Sequence, residues 1–433
     1  GLALAAATTA AAAPQPAARP VALTLDDAIA RGLATSHQLA ALDAQHDAAQ
    51  AAVSSEQASR RPIVSLQAGY QRTNHIDAFG LTVPGRGFLT IYPDVPDTYR
   101  TRLDLQWPIY TGGRQDALER AARAEAGADA EQVATARADL RLEITRAYWA
   151  LVTAGDAVTV VEQAHAQMLA HLEDVRHRFA VGLLPPNDVS AAEAQEARDR
   201  MLLIQARNQR DIAATALRRL IGLAPETPVV PQARLEPPAP VPPVATLIAD
   251  ARAHRSERRA LEARMAAAGD RETAAGAGRR PTVALEGGVD YARPNPRIFP
   301  RVSEWNESWD VGVNVNWSLW DGGRTGAAVA QASAGVRAAR EQLADFDTAL
   351  DADVRERALD LQSSEAAIPA ADEAVRAAED ARRVVENRFE AGVATSTDVL
   401  DAQVALLQAE LDRTQAVAAA RLAEARLDRV LGR

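Results

Sequence analysis

The feature that most constrains this chain is an internal duplication. The segment WPIYTGGR, which runs from Trp107 to Arg114, returns 210 residues later as WSLWDGGR, from Trp317 to Arg324. The segment 178–189 returns at the same offset as 388–399, with Arg-Phe at its start and Asp-Val at its end. A repeat of this kind predicts two copies of one structural unit that pack against each other.

The duplicated segments divide the chain into two predicted repeats, residues 21–223 and 246–433. The Pro-rich stretch 224–245 is the predicted linker between them. Upstream, Arg61-Pro62 returns as Arg280-Pro281 at an offset of 219, so the first repeat has nine additional residues before Trp107. Because insertions lie in surface loops, we expect an exposed loop there.

Residues 1–20 are rich in Ala and Pro and carry little charge. The apolar run at their start is similar to the end of a secretory signal peptide. We therefore expect an exported protein, with residues 1–20 as a signal-peptide remnant. A disordered Ala/Pro linker is the alternative interpretation.

Each repeat contains two segments in which apolar and polar residues alternate, as in a strand with two different faces. The predicted strands are residues 63–72, 98–109, 282–291 and 308–319. About ten residues is the length that a tilted strand needs to cross a bilayer. Aromatic residues at the segment ends are typical of interfacial girdles: Tyr70, Tyr99, Trp107, Tyr291, Trp309 and Trp317.

The opposite face of these strands is polar: three of the four segments carry charges on it, and the segment 308–319 also carries an Asn pair. Such a face suits a water-filled lumen, so we predict a sheet between lipid and water. A soluble sheet packed on a core is the alternative.

Long helices surround the strands in both repeats. A helix of about 35 residues precedes the strands, and the helices predicted over 113–180 and 323–390 follow them. Each of the latter makes a rod of roughly 100 Å, which has to pack beside other helices. Gly-containing tips at 181–188 and 391–397 lead into helices 188–221 and 398–431. Asp188 is a candidate N-cap, and Pro369 is a candidate kink.

The composition excludes several functions. The chain has 48 Lys+Arg against 58 Asp+Glu, and the net charge of −10 argues against a nucleic-acid partner. With no Cys there are no disulfides and no thiolate sites. Motifs for nucleotides or zinc hydrolysis are absent. We expect His165, His171 and His177, spaced six apart, to be solvated and not metal ligands. We therefore expect a protein that is not an enzyme and has no cofactor or metal.

Four strands are too few to close a barrel, because closed barrels begin at about eight strands. Unpaired edges are not tolerated in hydrocarbon, so the chain has to assemble with its strands shared. Three copies would supply 12 strands, although two or four copies also close a ring.

From Val21 to Gly432 the sequence resembles the outer membrane efflux proteins of the TolC family. The resemblance is carried by the two Gly-Gly-Arg segments and the two Arg-Phe…Gly…Asp-Val turns quoted above. It implies a mainly α protein with a membrane β-barrel: a homotrimer with a 12-stranded barrel, four strands per protomer, on a long α-helical barrel. The implied location is the outer membrane, with the helices extending into the periplasm.

The resemblance also implies the partners. Such a protein is the passive, gated exit duct of a tripartite efflux or type I secretion system, in contact with outer membrane lipid. A periplasmic adaptor (membrane fusion) protein docks on its tips and connects it to an inner membrane transporter of the RND, ABC or MFS type. The matching tip residues are Arg178, Phe179, Gly182, Leu183, Arg388, Phe389, Gly392 and Val393.

By the same resemblance, Asp398 and Asp401 match a ring of carboxylates at the periplasmic entrance, which favours cations. Asp188 and Phe389 match members of a gating link, but Phe389 replaces a Tyr and Ala394 occupies the basic position. The known link is therefore expected to be absent. Asp188 and Asp398 could equally be helix caps. A periplasmic coiled-coil adaptor or scaffold is the alternative function, and the cargo stays open.

Overall fold

The computed structural model describes residues 20–238 and 242–433; the expectation for residues 1–20 therefore falls almost wholly outside the described part. Within the described ranges the chain is mainly helical, as predicted. The helices are α1 (Leu25–Thr35), α2 (His37–Ala58), α3 (Arg114–Ala180), α4 (Pro186–Leu220), α5 (Val244–His254), α6 (Ser256–Gly276), α7 (Arg324–Glu390) and α8 (Ser396–Val430). The strands are β1 (Val21–Leu23), β2 (Ile63–Arg72), β3 (Phe79–Val83), β4 (Gly87–Tyr92), β5 (Asp97–Tyr110), β6 (Val229–Pro231), β7 (Thr282–Arg293) and β8 (Asn306–Asn316).

The helices follow the offset of the duplication. Helices α3 and α7 each have 67 residues, and α4 and α8 each have 35. Pro369 lies inside α7, which continues past it to Glu390. The predicted single helix before the strands is instead two helices in each half, α1–α2 and α5–α6. The breaks fall at the equivalent residues Ser36 and Arg255, both of which have extended backbone.

The tips are built by a glycine after each long helix. Gly182 and Gly392 have φ angles of 79° and 72°, a region that costs a residue with a Cβ atom. The N–H of Leu183 donates to the carbonyl of Arg178 at 2.9 Å, and the corresponding bond ends α7. These bonds satisfy carbonyls that the helix end leaves free. The next helices begin at Pro186 and Ser396, two residues earlier than predicted.

One compact unit comprises residues 42–133 and 257–346. It contains an antiparallel four-stranded sheet in the order β2-β5-β7-β8. Strands β5 and β7 belong to different repeats and pair from Tyr99–Arg293 to Tyr110–Val283. The last predicted strand was placed too far along the chain: β8 covers 306–316, so Trp317 lies just beyond it.

The additional residues of the first repeat form more than a loop. Strands β3 and β4 pair as an antiparallel hairpin, closed by a turn that contains Gly85. Its apolar side chains, including Phe79 and Phe88, are exposed.

Alanine packs the helices of this unit. The buried face of α6 carries Ala260, Ala267 and Ala274, which repeat every seven residues as in a coiled coil. Around this face, Arg271 pairs with Glu125 at 2.8 Å. Small side chains at the seam let helix backbones approach closely, which accounts for the scarcity of large apolar residues in the sequence.

Among the described residues, the other unit comprises 20–41, 134–238, 242–256 and 347–433. Its largest apolar cluster gathers around Ile144, Tyr148, Leu217 and Ile221, all fully buried. Beside it, β1 pairs in parallel with β6, so the predicted linker contains a strand. The buried Tyr148 hydroxyl donates to the carbonyl of Leu23 at 3.0 Å and accepts from the N–H of Ala233 at 3.1 Å.

Within residues 20–238 and 242–433, no helix combines the length and the apolarity that a membrane span requires.

Tyr148→Phe should lower the stability of the protein by about 1–3 kcal/mol, because it strips the buried carbonyl of Leu23 and the partly buried N–H of Ala233 of their partner. Thermal unfolding of the detergent-solubilised protein measures the loss. Tyr110→Phe is the matched control, since the Tyr110 side chain is exposed. Equal unfolding midpoints for both variants would contradict the assigned role of the hydroxyl.

Candidate functional site

The four-stranded sheet has one apolar face that is exposed in the protomer. Because side chains alternate along a strand, the pairing register brings the apolar residues of all four strands to this face. Its exposed members include Val64, Leu66, Leu103, Val289, Val311, Val313 and Val315. An apolar surface of this extent is unusual for a protein in water and marks a contact with another apolar phase.

Aromatic residues mark two rows on this sheet. Tyr70 pairs with Tyr99, and Tyr291 lies two positions further along, opposite Thr101. Trp107 lies eight residues after Tyr99 on β5, about 26 Å at 3.3 Å per residue. Trp317 directly follows Asn316, the last residue of β8, which pairs with Thr282. It therefore lies toward the same end of the strands as Trp107.

Trp309 lies eight residues before Trp317, the same spacing that separates Tyr99 from Trp107. Trp309 pairs with Val289, which in turn pairs with Leu103, halfway between Tyr99 and Trp107 on β5. Its side chain is 71% exposed on the apolar face, and its place in the girdle stays a prediction.

The Trp107–Trp317 row has the same local construction in both repeats. The indole N–H of Trp107 donates to the carbonyl of Arg60 at 3.1 Å, and that of Trp317 donates to the carbonyl of Arg279 at 3.2 Å. Each indole therefore ties the end of one strand to the segment that leads into its neighbour. An amphipathic ring with a satisfied N–H suits a membrane–water interface.

The other face of the sheet carries a network of ion pairs across three strands. Arg102 on β5 bonds Asp104 at 2.5 Å and Asp310 at 3.0 and 3.2 Å, and it also contacts Asp290. Asp290 is 3% exposed and accepts from Arg100 at 2.6 Å. The sequence places these charges on a polar face, but it does not predict which of them form ion pairs.

Gly288 makes room for this network. A Cβ atom at this position would lie 2.6 Å from Nη2 of Arg102 and 3.0 Å from the carbonyl oxygen of Leu103. Any side chain here would therefore displace the guanidinium group that joins β5 to β7 and β8.

The first tip presents its apolar side chains outward. Phe179 is 44% exposed, and Val181 and Leu183 are also exposed. Phe179 and Leu183 are predicted docking residues, and both lie on the surface of the protomer.

The second tip is arranged differently, although its sequence is the repeat of the first. Phe389, the counterpart of Phe179, is only 5% exposed and packs in an apolar cluster with Val175 and Val399. Ala394 packs against the same cluster. The position at which the resemblance implies a basic residue therefore holds an apolar residue with apolar contacts. Arg388 and Val393 remain exposed.

Two residues of α3 hold Phe389 in place. The Arg178 guanidinium carbon lies 4.6 Å from the centre of the Phe389 ring, and Nη1 donates to the Phe389 carbonyl at 3.4 Å. The His171 ring lies 5.4 Å from the Phe389 ring, between centroids. The predicted partner Asp188 is not brought to this ring; it accepts from the side chain of Asn187 at 3.0 Å.

His171 contradicts the prediction of a solvated side chain. It is 9% exposed, and its Nε2 lies 3.0 Å from Oγ of Ser396, the first residue of α8. Sequence spacing gave no signal for this, because the burial comes from the other repeat. His165 is partly buried beside Glu196, and His177 is exposed.

The two candidate capping aspartates differ. Asp398 forms a capping box with Thr395: its carboxylate accepts from Thr395 N–H and Oγ1, both at 2.8 Å, and Thr395 Oγ1 accepts from the N–H of Asp398. In the first tip the equivalent of Thr395 is Pro185, which offers no side-chain cap, so the N-cap predicted at Asp188 is wrong.

Asp398 and Asp401, the predicted entrance carboxylates, are both exposed on the first turns of α8. The hydrogen bonds from Thr395, first from its backbone and then from its side chain, hold the pKa of Asp398 below its ordinary value. Asp398 is therefore an ionised carboxylate at neutral pH. Among the described residues, no group of three His, Asp or Glu side chains is arranged to hold a metal ion.

Comparison with known proteins agrees with this geometry. The family model described as Outer membrane efflux protein matches residues 28–223 and 247–433. Outer membrane protein TolC of Vibrio cholerae is 27% identical over 384 residues, which are 88% of this chain and 84% of that protein.

Two solved structures show the same fold. The outer membrane protein VceC of Vibrio cholerae has a TM-score of 0.77 and 23% identity, covering 94% of this chain and 96% of its own. The MtrE outer membrane channel of Neisseria gonorrhoeae, in its open state, has a TM-score of 0.76 and 18% identity, covering 94% of this chain and 88% of its own. The chain belongs to the outer membrane efflux protein family.

Proposed function

We propose that this outer membrane protein is the passive exit duct of a tripartite efflux or type I secretion system, with the sheet in the outer membrane and the helices in the periplasm. The observation that carries the proposal is the sheet with an exposed apolar face and an ion-paired polar face. Lipid satisfies the first face and a water-filled lumen the second.

A homotrimer is the proposed assembly. Strands β2 and β8 each have one edge without a partner among the described residues. A bilayer offers no water to such an edge, so another copy has to pair with it. Three copies give 12 strands, a number that encloses an aqueous channel, since eight strands are already filled by side chains.

The tips are the proposed docking surface for a periplasmic adaptor protein, which connects the duct to an inner membrane transporter. Exposed Phe179, Val181 and Leu183 give the first tip an apolar surface. At the corresponding positions the second tip offers Ala391 and Val393, because Phe389 is buried. We therefore assign most of the apolar contact with the adaptor to the first tip.

Asp398 and Asp401 are the proposed carboxylate ring of the periplasmic entrance. Three copies of each would place six carboxylates around a narrow aqueous opening, which attracts cations and repels anions. The capping box adds to this role, since it keeps Asp398 ionised and fixes its side chain on α8. The two roles considered for Asp398 are therefore compatible.

The alternative, a periplasmic coiled-coil adaptor or scaffold, finds no support in the exposed apolar sheet, which a soluble protein would have to cover. Membrane fractionation separates the two functions. A duct stays with outer membranes after washing with salt and urea, whereas a scaffold is released. Release by these washes would overturn the proposal.

Replacing both Asp398 and Asp401 by Asn should lower the cation-over-anion permeability ratio several-fold, because the entrance loses its fixed negative charge. Reversal potentials in planar bilayers under a salt gradient measure the ratio. Asp412→Asn is the matched control, since Asp412 is also exposed on α8 but lies several turns from its start. An unchanged ratio in the double variant would remove these residues from the ring.

Single-Trp variants should report the depth of the aromatic residues in the bilayer. With the other Trp residues replaced by Phe, brominated lipids should quench Trp309, because its side chain is exposed on the apolar face. Trp107 and Trp317 should respond more to shallow bromines, because they lie in a row at one end of the apolar face. Trp149, buried among helices, is the control. Equal quenching of Trp309 and Trp149 would show that the face does not meet lipid.

A further inference from the structure

The two tips have nearly the same sequence but opposite arrangements of their Phe residues. Phe179 is exposed at the end of α3, whereas Phe389 is buried at the end of α7. The difference does not come from the backbone, since both helices end at a Gly with the same positive φ. Two of the side chains that α3 and α8 place around Phe389, His171 and Ser396, have no polar counterpart in the other repeat.

Three contacts join the second tip to α3. Arg178 covers the Phe389 ring at 4.6 Å and donates to its carbonyl at 3.4 Å. The His171 ring lies 5.4 Å from the Phe389 ring, between centroids, and its Nε2 lies 3.0 Å from Oγ of Ser396. Ser396 is 1% exposed, so its hydroxyl has few alternatives to this histidine.

The repeat shows that these contacts are specific to one tip. The residue equivalent to His171 in α7 is Ala381, and the residue equivalent to Ser396 in α4 is Pro186. The full set of His171, Arg178 and Ser396 is therefore present only where α3 meets the second tip.

Charged groups around His171 are mostly paired with each other. On its own helix, Asp174 pairs with Arg178 at 2.9 Å. On α7, Arg382 pairs with Glu386 at 3.0 Å, and Glu390 is exposed. From α8 the same recess is lined by Val399 and Gln403, which do not ionise.

We propose that His171, Arg178 and Ser396 form a latch that holds the second tip against α3 and keeps the entrance closed, and that protonation of His171 releases it. This inference rests on the proposed function, because it takes the tips to be the entrance of a duct.

Acid affects the latch because the His171 side chain is buried in the closed arrangement. Burial lowers the pKa of His171 in the closed arrangement; Arg178 lowers it further, and Asp174 opposes the shift. An opened tip exposes the ring and returns its pKa toward the ordinary value of 6.5. The closed arrangement therefore binds fewer protons than the open one, and lowering the pH through this range favours opening.

The test uses the full chain, reconstituted as an oligomer in planar bilayers, with conductance recorded at about pH 7.5 and about pH 5.5. Wild-type conductance should rise on acidification. His171→Gln should abolish the rise, because an amide keeps a polar partner for Ser396 but does not ionise. His165→Gln is the matched control and should keep the rise, since His165 faces Glu196 of its own repeat at 3.1 Å.

Two further variants test the contacts without changing the titrating ring. Ser396→Ala should raise conductance at the higher pH roughly twofold to tenfold, as expected for the loss of one hydrogen bond. Arg178→Gln should also raise it, whereas Arg176→Gln, two residues away and paired with Glu193 at 2.6 Å, should not. Gel filtration and thermal unfolding verify that each variant assembles as the wild type does.

The outcomes separate the latch from the duct. A wild-type protein that conducts, with a pH response that survives His171→Gln or no gain from Ser396→Ala, overturns the latch and leaves the duct intact. A wild-type protein that never conducts overturns the proposed function itself. If His171→Gln does not assemble, Ser396→Ala and Arg178→Gln still decide the matter.

Discussion

Backbone hydrogen bonding at the outer strands of the sheet is the constraint on which the rest depends. The chain supplies four strands, and the free edges of β2 and β8 find no partner among the residues described. In hydrocarbon an unpaired edge costs several kcal/mol for each group, so the protein needs further copies of itself. The two faces of the sheet then face lipid and water. The apolar face supplies a band between two aromatic rows, and the polar face supplies paired charges that a watery lumen tolerates.

Much of the architecture could be predicted because the information is local and occurs twice. The family, the mainly helical fold class and the outer membrane location predicted from the sequence are confirmed by the comparisons. The Gly-Gly-Arg segments and the Gly at each tip mark places where the backbone has to turn, and those requirements do not depend on tertiary contacts. The alternation of the strands is equally local, since it follows from the period of the pleat.

What the sequence did not predict arises from contacts between distant segments. His171 is buried by Ser396 and Phe389, more than two hundred residues away, so helical spacing alone assigned it to the surface. Phe179 and Phe389 occupy equivalent positions, and only their neighbours decide which is exposed. The cap at the second tip comes from Thr395, and in the first tip Pro185 removes it. The broken helices α1–α2 and α5–α6 were missed because neither Ser36 nor Arg255 is a strong helix breaker in sequence.

The pairing of β5 with β7 has a consequence for how the chain reaches its native state. Strand β5 finds its first neighbour, β2, through a short connection, but its second neighbour begins at Thr282, roughly 170 residues after the end of β5, a contact of high sequence separation. During synthesis from the N-terminus, one side of β5 therefore has no native partner until most of the polypeptide exists. During that interval the unpaired edge of this apolar strand is prone to aggregation. Folding of the sheet is thus a late, cooperative event in which neither repeat can finish alone.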